Sequence, residues 1–279
     1  MNMESLNHSI VVPYDYTAMA KNAVAHSVIL AARLKVGITL LHIANKKDEI
    51  ADREQELAAE VEKLSAEMNI KPAYLVRYGS IFKTINKVAN ELDATIIVMG
   101  THGVKGMQKL TGSRALKVIL GSRIPFLVVQ DAPKPGLNYR KIVFPVNFKT
   151  ENKEKLKWVQ FMSQYFNSNT ILFADSSKDG VVEKRTRANL LFCKSFLEEN
   201  KINYELVLAD HNQPFSEETL KYAVDNDADL IIIMTSRDIT FHAYILGAQE
   251  QYMIANTAKI PVMVINPRTD LVKYGYNNF

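Results

Sequence analysis

Nothing constrains the fold of this chain more than its internal duplication. SIVVPYDYT from Ser9 aligns with KIVFPVNFKT from Lys141, which sets Pro13 on Pro145 and Asp15 on Asn147. DATIIVMGTHG aligns with ADLIIIMTSRD, which sets Gly100 on Thr235 and Gly103 on Asp238. IPFLVVQ from Ile124 aligns with IPVMVIN from Ile260. The offset drifts only from about 132 residues at Ser9 and Lys141 to about 136 at Ile124 and Ile260, as a duplicated domain with small loop changes requires. Two domains of one architecture are therefore expected, residues 1–133 and 138–279, joined by DAPKPGLNYR, whose prolines and glycine punctuate the change of domain.

Within each half, apolar β-branched runs alternate with helical patterns. In the first half strands are expected at Ile10 to Tyr14, Ile38 to Ile43, Tyr74 to Tyr78, Thr95 to Met99 and Phe126 to Gln130. Between them, ADREQELAAEVEKLSAEM repeats Leu57, Val61, Leu64 and Met68 at helical spacing and leaves charge on the other face. Thr17 is placed to cap the first helix, and Ser80 the helix carrying Ile81, Ile85, Val88 and Leu92. Parallel strands need crossover helices, so the order βαβαβαβαβ predicts an α/β fold of two tandem doubly wound five-stranded parallel-sheet domains.

The site follows from that architecture, because open α/β sheets bind ligands outside the carboxyl ends of strands where the strand order reverses. Those ends are VPYDYT after the first strand and MGTHGVKGMQKLTGSRA after the fourth. Asp15 offers a carboxylate to a base or ribose, Gly100 and Gly103 permit close backbone approach, and Gly112 and Ser113 open a helix whose free N–H groups favour a phosphate. The run is not a P-loop, since no lysine follows the glycine in TGSR. On spacing alone, a phosphate site and a plain structural turn both remain open.

A half of this size with VPYD after strand one, LLHI at strand two, and MGTHG leading to TGS after strand four resembles the universal stress protein family. The resemblance implies a Rossmann-like fold of the adenine nucleotide alpha hydrolase-like type, and ATP bound through a pattern G-x2-G-x9-G-[ST]. Carried over by position, Pro13, Tyr14 and Asp15 would lie by the adenine and ribose and Ile43 by the adenine. Met99, Gly100, His102 and Gly103 would form the first phosphate-side turn, with Gly112, Ser113 and Arg114 at the helix start. The spacer Val104 to Thr111 holds eight residues, one short of the pattern, and the aligned spacer Ile239 to Leu246 is also eight. In the second half Thr235 and Asp238 stand where glycines would, Asn147 replaces Asp15, and GS becomes GA at Gly247 and Ala248, so that half is expected to bind no ATP.

The implied function is a non-enzymatic, adenine-nucleotide-binding stress or regulatory protein. The cofactor is ATP, with Mg²⁺ able to accompany its phosphates. A weak ATPase on the same site, and a nucleotide-free scaffold acting through protein contacts, stand as alternatives. Edge strands PFLVVQ and PVMVIN invite pairing of the two domains within the chain, and a homodimer of the whole chain is compatible with the same logic.

Composition limits the other classes. The chain carries 34 Lys and Arg against 30 Asp and Glu, a net charge of +4 with no long basic block, which points away from nucleic acid and membrane partners. No apolar run approaches the roughly 20 residues needed to cross a bilayer, the N-terminus lacks the pattern of a secretory signal, and a cytoplasmic location is expected. Cys193, on the helical run LLFCKSF, reads as a small core hydrophobe. His8, His26 and His42 lack metal-site spacing. No serine, cysteine or second carboxylate is tied by a motif to His102, which leaves no catalytic residue to nominate. Trp158, Phe161, Met162 and Tyr165 mark a helix face expected to pack in the core.

Overall fold

The computed structural model describes residues 9–101, 115–120, 122–149, 152–238, 243–245 and 247–266. It divides into two compact units: residues 1–138 with 254–263, and residues 139–253 with 264–279.

The first unit runs β1 (Ile10–Pro13), α1 (Ala18–Leu34), β2 (Ile38–Ala44), α2 (Ile50–Met68), β3 (Ala73–Tyr78), α3 (Ile81–Glu91), β4 (Ile96–Gly100), α4 (Ala115–Leu120) and β5 (Phe126–Val129). Its strands lie in the order β3-β2-β1-β4-β5, all parallel, so the order reverses between β1 and β4. The second unit repeats this with β6 (Lys141–Val146), α5 (Asn152–Phe166), β7 (Asn169–Ala174), α6 (Gly180–Glu199), β8 (Tyr204–Leu208), α7 (Phe215–Asp225) and β9 (Leu230–Met234). There follow a short antiparallel hairpin of β10 (Ser236–Asp238) and β11 (Ala243–Ile245), then α8 (Ala248–Ile254) and β12 (Val262–Ile265). Here the parallel order is β9-β6-β7-β8.

The sequence signals act where they were expected. The Thr17 hydroxyl accepts from Ala20 N and caps α1. Ser80 holds the N-cap position of α3 in extended backbone, without a side-chain cap bond. Leu57, Val61 and Leu64 of α2 are buried, and so are Val11, Val12, Ile97 and Val98 of the central strands. Helix ends were less legible, because the left-handed residues that stop them are not glycines. Lys35, Asn69 and Asp93 in the first unit and Asn167, Lys201 and Asp227 in the second all have φ between 45° and 56°, a conformation in which glycine meets less resistance.

Two sequence expectations change. On α5 the buried stripe is Lys155, Leu156, Val159, Met162 and Phe166. Of the four residues assigned to the core only Met162 belongs to it. Trp158 and Phe161 are half-buried, Tyr165 is exposed, and their rings follow one another at 5.2 and 4.8 Å along the flank of the helix.

The second change concerns the repeat itself. Ile10 pairs with Ile96 where Ile142 pairs with Leu230, and Thr95 N bonds Ser9 O where Asp229 N bonds Lys141 O. Thr101 N bonds Val129 O where Thr235 N bonds Ile265 O. The fourth strands are therefore related by 134 residues, as Thr101 and Thr235 show, one fewer than the aligned strings implied. Gly100 corresponds to Met234, not Thr235. Gly103, and with it the match to Asp238 and the spacer that follows, lies outside the described residues.

Candidate functional site

The site begins with a break in a ladder. β1 and β4 pair only at Ile10 with Ile96 and Val11 with Ile97. On the outer sides the pairing continues, β1 with β2 to Pro13 and Leu41, and β4 with β5 to Gly100 and Val129. Two parallel strands that stop pairing while their outer neighbours hold them must part, which opens a crevice at their carboxyl ends. Pro13, Tyr14 and Asp15 stand on one side of it, Met99 and Gly100 on the other, and Ile43 near the end of β2 beside β1. His102, Gly103, Gly112, Ser113 and Arg114 lie outside the described residues.

Each described residue is held by a specific contact. Tyr14 is buried, and its hydroxyl donates to Glu60 Oε1 at 2.8 Å. That bond, with Lys21 and Lys63 nearby, holds the Glu60 carboxyl below its ordinary range, while burial pushes the Tyr14 phenol up. Asp15 is exposed, and its Oδ1 accepts from Thr17 N at 3.2 Å and Thr17 Oγ1 at 2.6 Å. This turn ties the carboxylate to the start of α1. Gly100 meets α1 from the other side, where an added Cβ would lie 2.0 Å from Met19 O. The backbone approach that this glycine permits is to its own helix.

Tyr16, which sequence reasoning passed over, completes the wall. It sits at φ 65°, with its ring 5.5 Å from Tyr14 and 5.1 Å from His42. His42 Nδ1 in turn donates to Tyr14 O at 2.8 Å. No periodicity signals a left-handed tyrosine, although the aromatic spacing of PYDY was visible in the sequence. Two hydroxyls of the first unit, Tyr16 Oη and Thr101 Oγ1, are buried without a hydrogen-bond partner among the described residues.

The second unit repeats the geometry and fills it differently. β6 and β9 also pair at only two positions, Ile142 with Leu230 and Val143 with Ile231. The turn recurs as well, with Asn147 Oδ1 accepting from Lys149 N at 3.1 Å. The space beyond is occupied by the chain's own charges. Lys149 pairs with the buried Glu250 carboxylate, and Lys155 Nζ donates to Pro145 O at 2.7 Å while lying 4.3 Å over the Phe144 ring. Glu250 Oε2 is 2.5 Å from where a Cβ on Gly247 would stand. The cavity left among these groups is about 30 Å³, room for little more than a water molecule.

No described helix is long and apolar enough to cross a membrane. Comparison with known proteins places the chain. The model of the universal stress protein family matches residues 7–130. Universal stress protein G of Salmonella typhimurium is 36% identical over 55 residues, an alignment covering 20% of this chain and 39% of that protein. Universal stress protein G of Escherichia coli O157:H7 is 38% identical over 55 residues. The match thus spans well under half the length of these relatives. The crystal structure of a universal stress protein from Archaeoglobus fulgidus DSM 4304 superposes with a TM-score of 0.73 over 94% of this chain and 99% of that one, at 18% identity. That likeness is one of fold.

Proposed function

Because the chain belongs to the universal stress protein family through residues 7–130, we propose that its first unit binds an adenine nucleotide in the crevice between β1 and β4. In this reading the ligand is ATP, with Mg²⁺ accompanying its phosphates. Binding biases the state of a non-enzymatic stress or regulatory protein in the cytoplasm. The observation that carries the reading is the parting of β1 from β4 beyond Val11 and Ile97, which opens the strand ends beside Asp15 and Gly100. The second unit has no nucleotide role here, because the Lys149 and Glu250 pair occupies the equivalent space. A binding role without turnover is favoured by how the described polar groups are used: Asp15 Oδ1 is committed to Thr17, and His42 Nδ1 to Tyr14 O.

The test is calorimetric titration of the full chain with ATP and Mg²⁺, beside chromatography of nucleotide released by denaturation. Wild type is expected to bind one ATP per chain, Gly103→Asp to bind none, and single-turnover incubation to return ATP intact. Absence of binding by wild type overturns the reading. Equal binding by Gly103→Asp moves the site elsewhere, and release of ADP replaces the binding protein with an ATPase.

A further inference from the structure

The edge of the second unit differs from that of the first in a way the nucleotide reading does not use. In the first unit α2 packs on β2 and β3, covering the edge strand. In the second unit α6 packs on α5, β6 and β7, and β8 at the edge keeps Leu206 41% and Leu208 59% exposed. The strand YELVL carries no lysine and no proline, the devices that ordinarily blunt a free edge. Its outward hydrogen-bonding groups follow from the ladder. Asn203 O and Ala209 N bond β7, so by alternation Tyr204, Leu206 and Leu208 turn their N–H and C=O groups away from it.

Beside this edge, on the α7 side, lies a groove of about 500 Å³. Its floor carries two aromatic rings, Phe173 and Tyr222, 5.0 Å apart. Its charged lining is Asp210, Glu218 and Asp225 against Lys221 alone, which pairs with Asp225, so the groove is net negative on a chain whose overall charge is +4. Glu218 braces one wall, accepting from the backbone N–H groups of His211, Asn212 and Gln213.

We propose that the edge of β8 and the adjoining groove form a docking surface for an extended segment of a partner protein in which basic and apolar residues alternate. The segment adds as a strand to the outward N–H and C=O groups of Tyr204, Leu206 and Leu208. Its cationic side chains reach Asp210 and Asp225 on the groove face, and its apolar side chains, which alternation turns to the opposite face, cover the exposed Leu206 and Leu208. Charge complementarity selects the partner, and the unprotected edge supplies the main-chain bonds.

The test titrates the full chain into fluorescein-labelled Lys-Val-Lys-Val-Lys-Val and Glu-Val-Glu-Val-Glu-Val peptides, followed by anisotropy at about 50 mM and about 300 mM salt. The basic peptide is expected to bind, more weakly at high salt, and the acidic one not to bind. Leu206→Pro removes an outward donor while sparing the ladder to β7, and is expected to weaken binding at least about tenfold with an unchanged melting temperature. Asp210→Lys with Asp225→Lys, which leaves the strand intact, is expected to do the same. No binding by wild type, equal binding of both peptides, or unchanged binding by the double charge variant overturns the proposal. A wild-type dimer that Leu206→Pro converts to monomer in sedimentation also overturns it, giving the edge to a second copy.

Discussion

Gly100 at the end of β4 lies against the backbone of Met19 in α1, so that a Cβ on it would stand 2.0 Å from the Met19 carbonyl oxygen and 2.4 Å from its carbonyl carbon. Neither partner is a flexible side chain that can swing away. Gly100→Ala must push β4 and α1 apart, and is expected to destabilise the first unit by about 3 kcal/mol. Urea unfolding followed by circular dichroism measures it, and a loss under about 1 kcal/mol would show that the two elements separate freely.

Tyr14→Phe keeps the buried ring and removes only the donor to Glu60. A hydrogen bond to a charged acceptor contributes about 1.5 to 3 kcal/mol. The lower end is expected here, because Lys21 and Lys63 still accompany the Glu60 carboxylate. The same urea titration reads it.

His26 is buried in α1, where desolvation pulls its pKa down to about 4, against the opposing hydrogen bond with Asp131 O. An exposed histidine titrates near 6.5. Between those values the unfolded chain takes up a proton that the folded one refuses, so stability is fully present above about pH 6.5 and is lost as pH falls towards 4. The loss amounts to about 3 kcal/mol. His26→Gln should flatten that part of the stability profile measured by thermal melts from pH 7 to pH 4. A parallel profile would place the acid sensitivity elsewhere.

Cys193 is fully buried, and burial pushes its thiol up to about 11. The native chain should therefore react with a disulfide reagent at pH 8 only as fast as the second unit opens. Rapid stoichiometric labelling without denaturant would contradict its place in the core.

Lys149→Met leaves the Glu250 carboxylate buried and unpaired, which costs about 3 to 5 kcal/mol. Adding Glu250→Gln should recover much of that loss, since the unpaired carboxylate charge is then gone. The double-mutant cycle gives the coupling directly, and additive losses would mean that the two side chains act independently.

The fold was legible because it rests on local patterns repeated twice. Apolar runs of strand length, the cap at Thr17 and the Leu57, Val61 and Leu64 stripe each read the same in string and structure. The site was legible in part. Asp15 and Gly100 were found by their place after strands one and four, but Tyr16, His42 and Glu60 join the site through contacts that sequence spacing does not encode. The face of α5 was misjudged because Trp158, Phe161 and Tyr165 share the helical spacing of a core stripe while lying one position around the helix from it. The fourth-strand register slipped by one residue because LIIIM matches IIVMG almost equally well at either offset; only the hydrogen bonds of Asp229 and Thr235 decide between them.

By itself, then, the sequence determined two parallel α/β units and the strand ends at which a ligand can enter, since periodicity and duplication are properties of the string. Tertiary structure alone decided what fills each entrance. In the first unit Gly100 is spent on Met19, whereas in the second Lys149 meets Glu250, about a hundred residues away, and closes the space. Charge pairing and close approach depend on distances across the fold, and residues remote in the chain acquire those distances only when it folds.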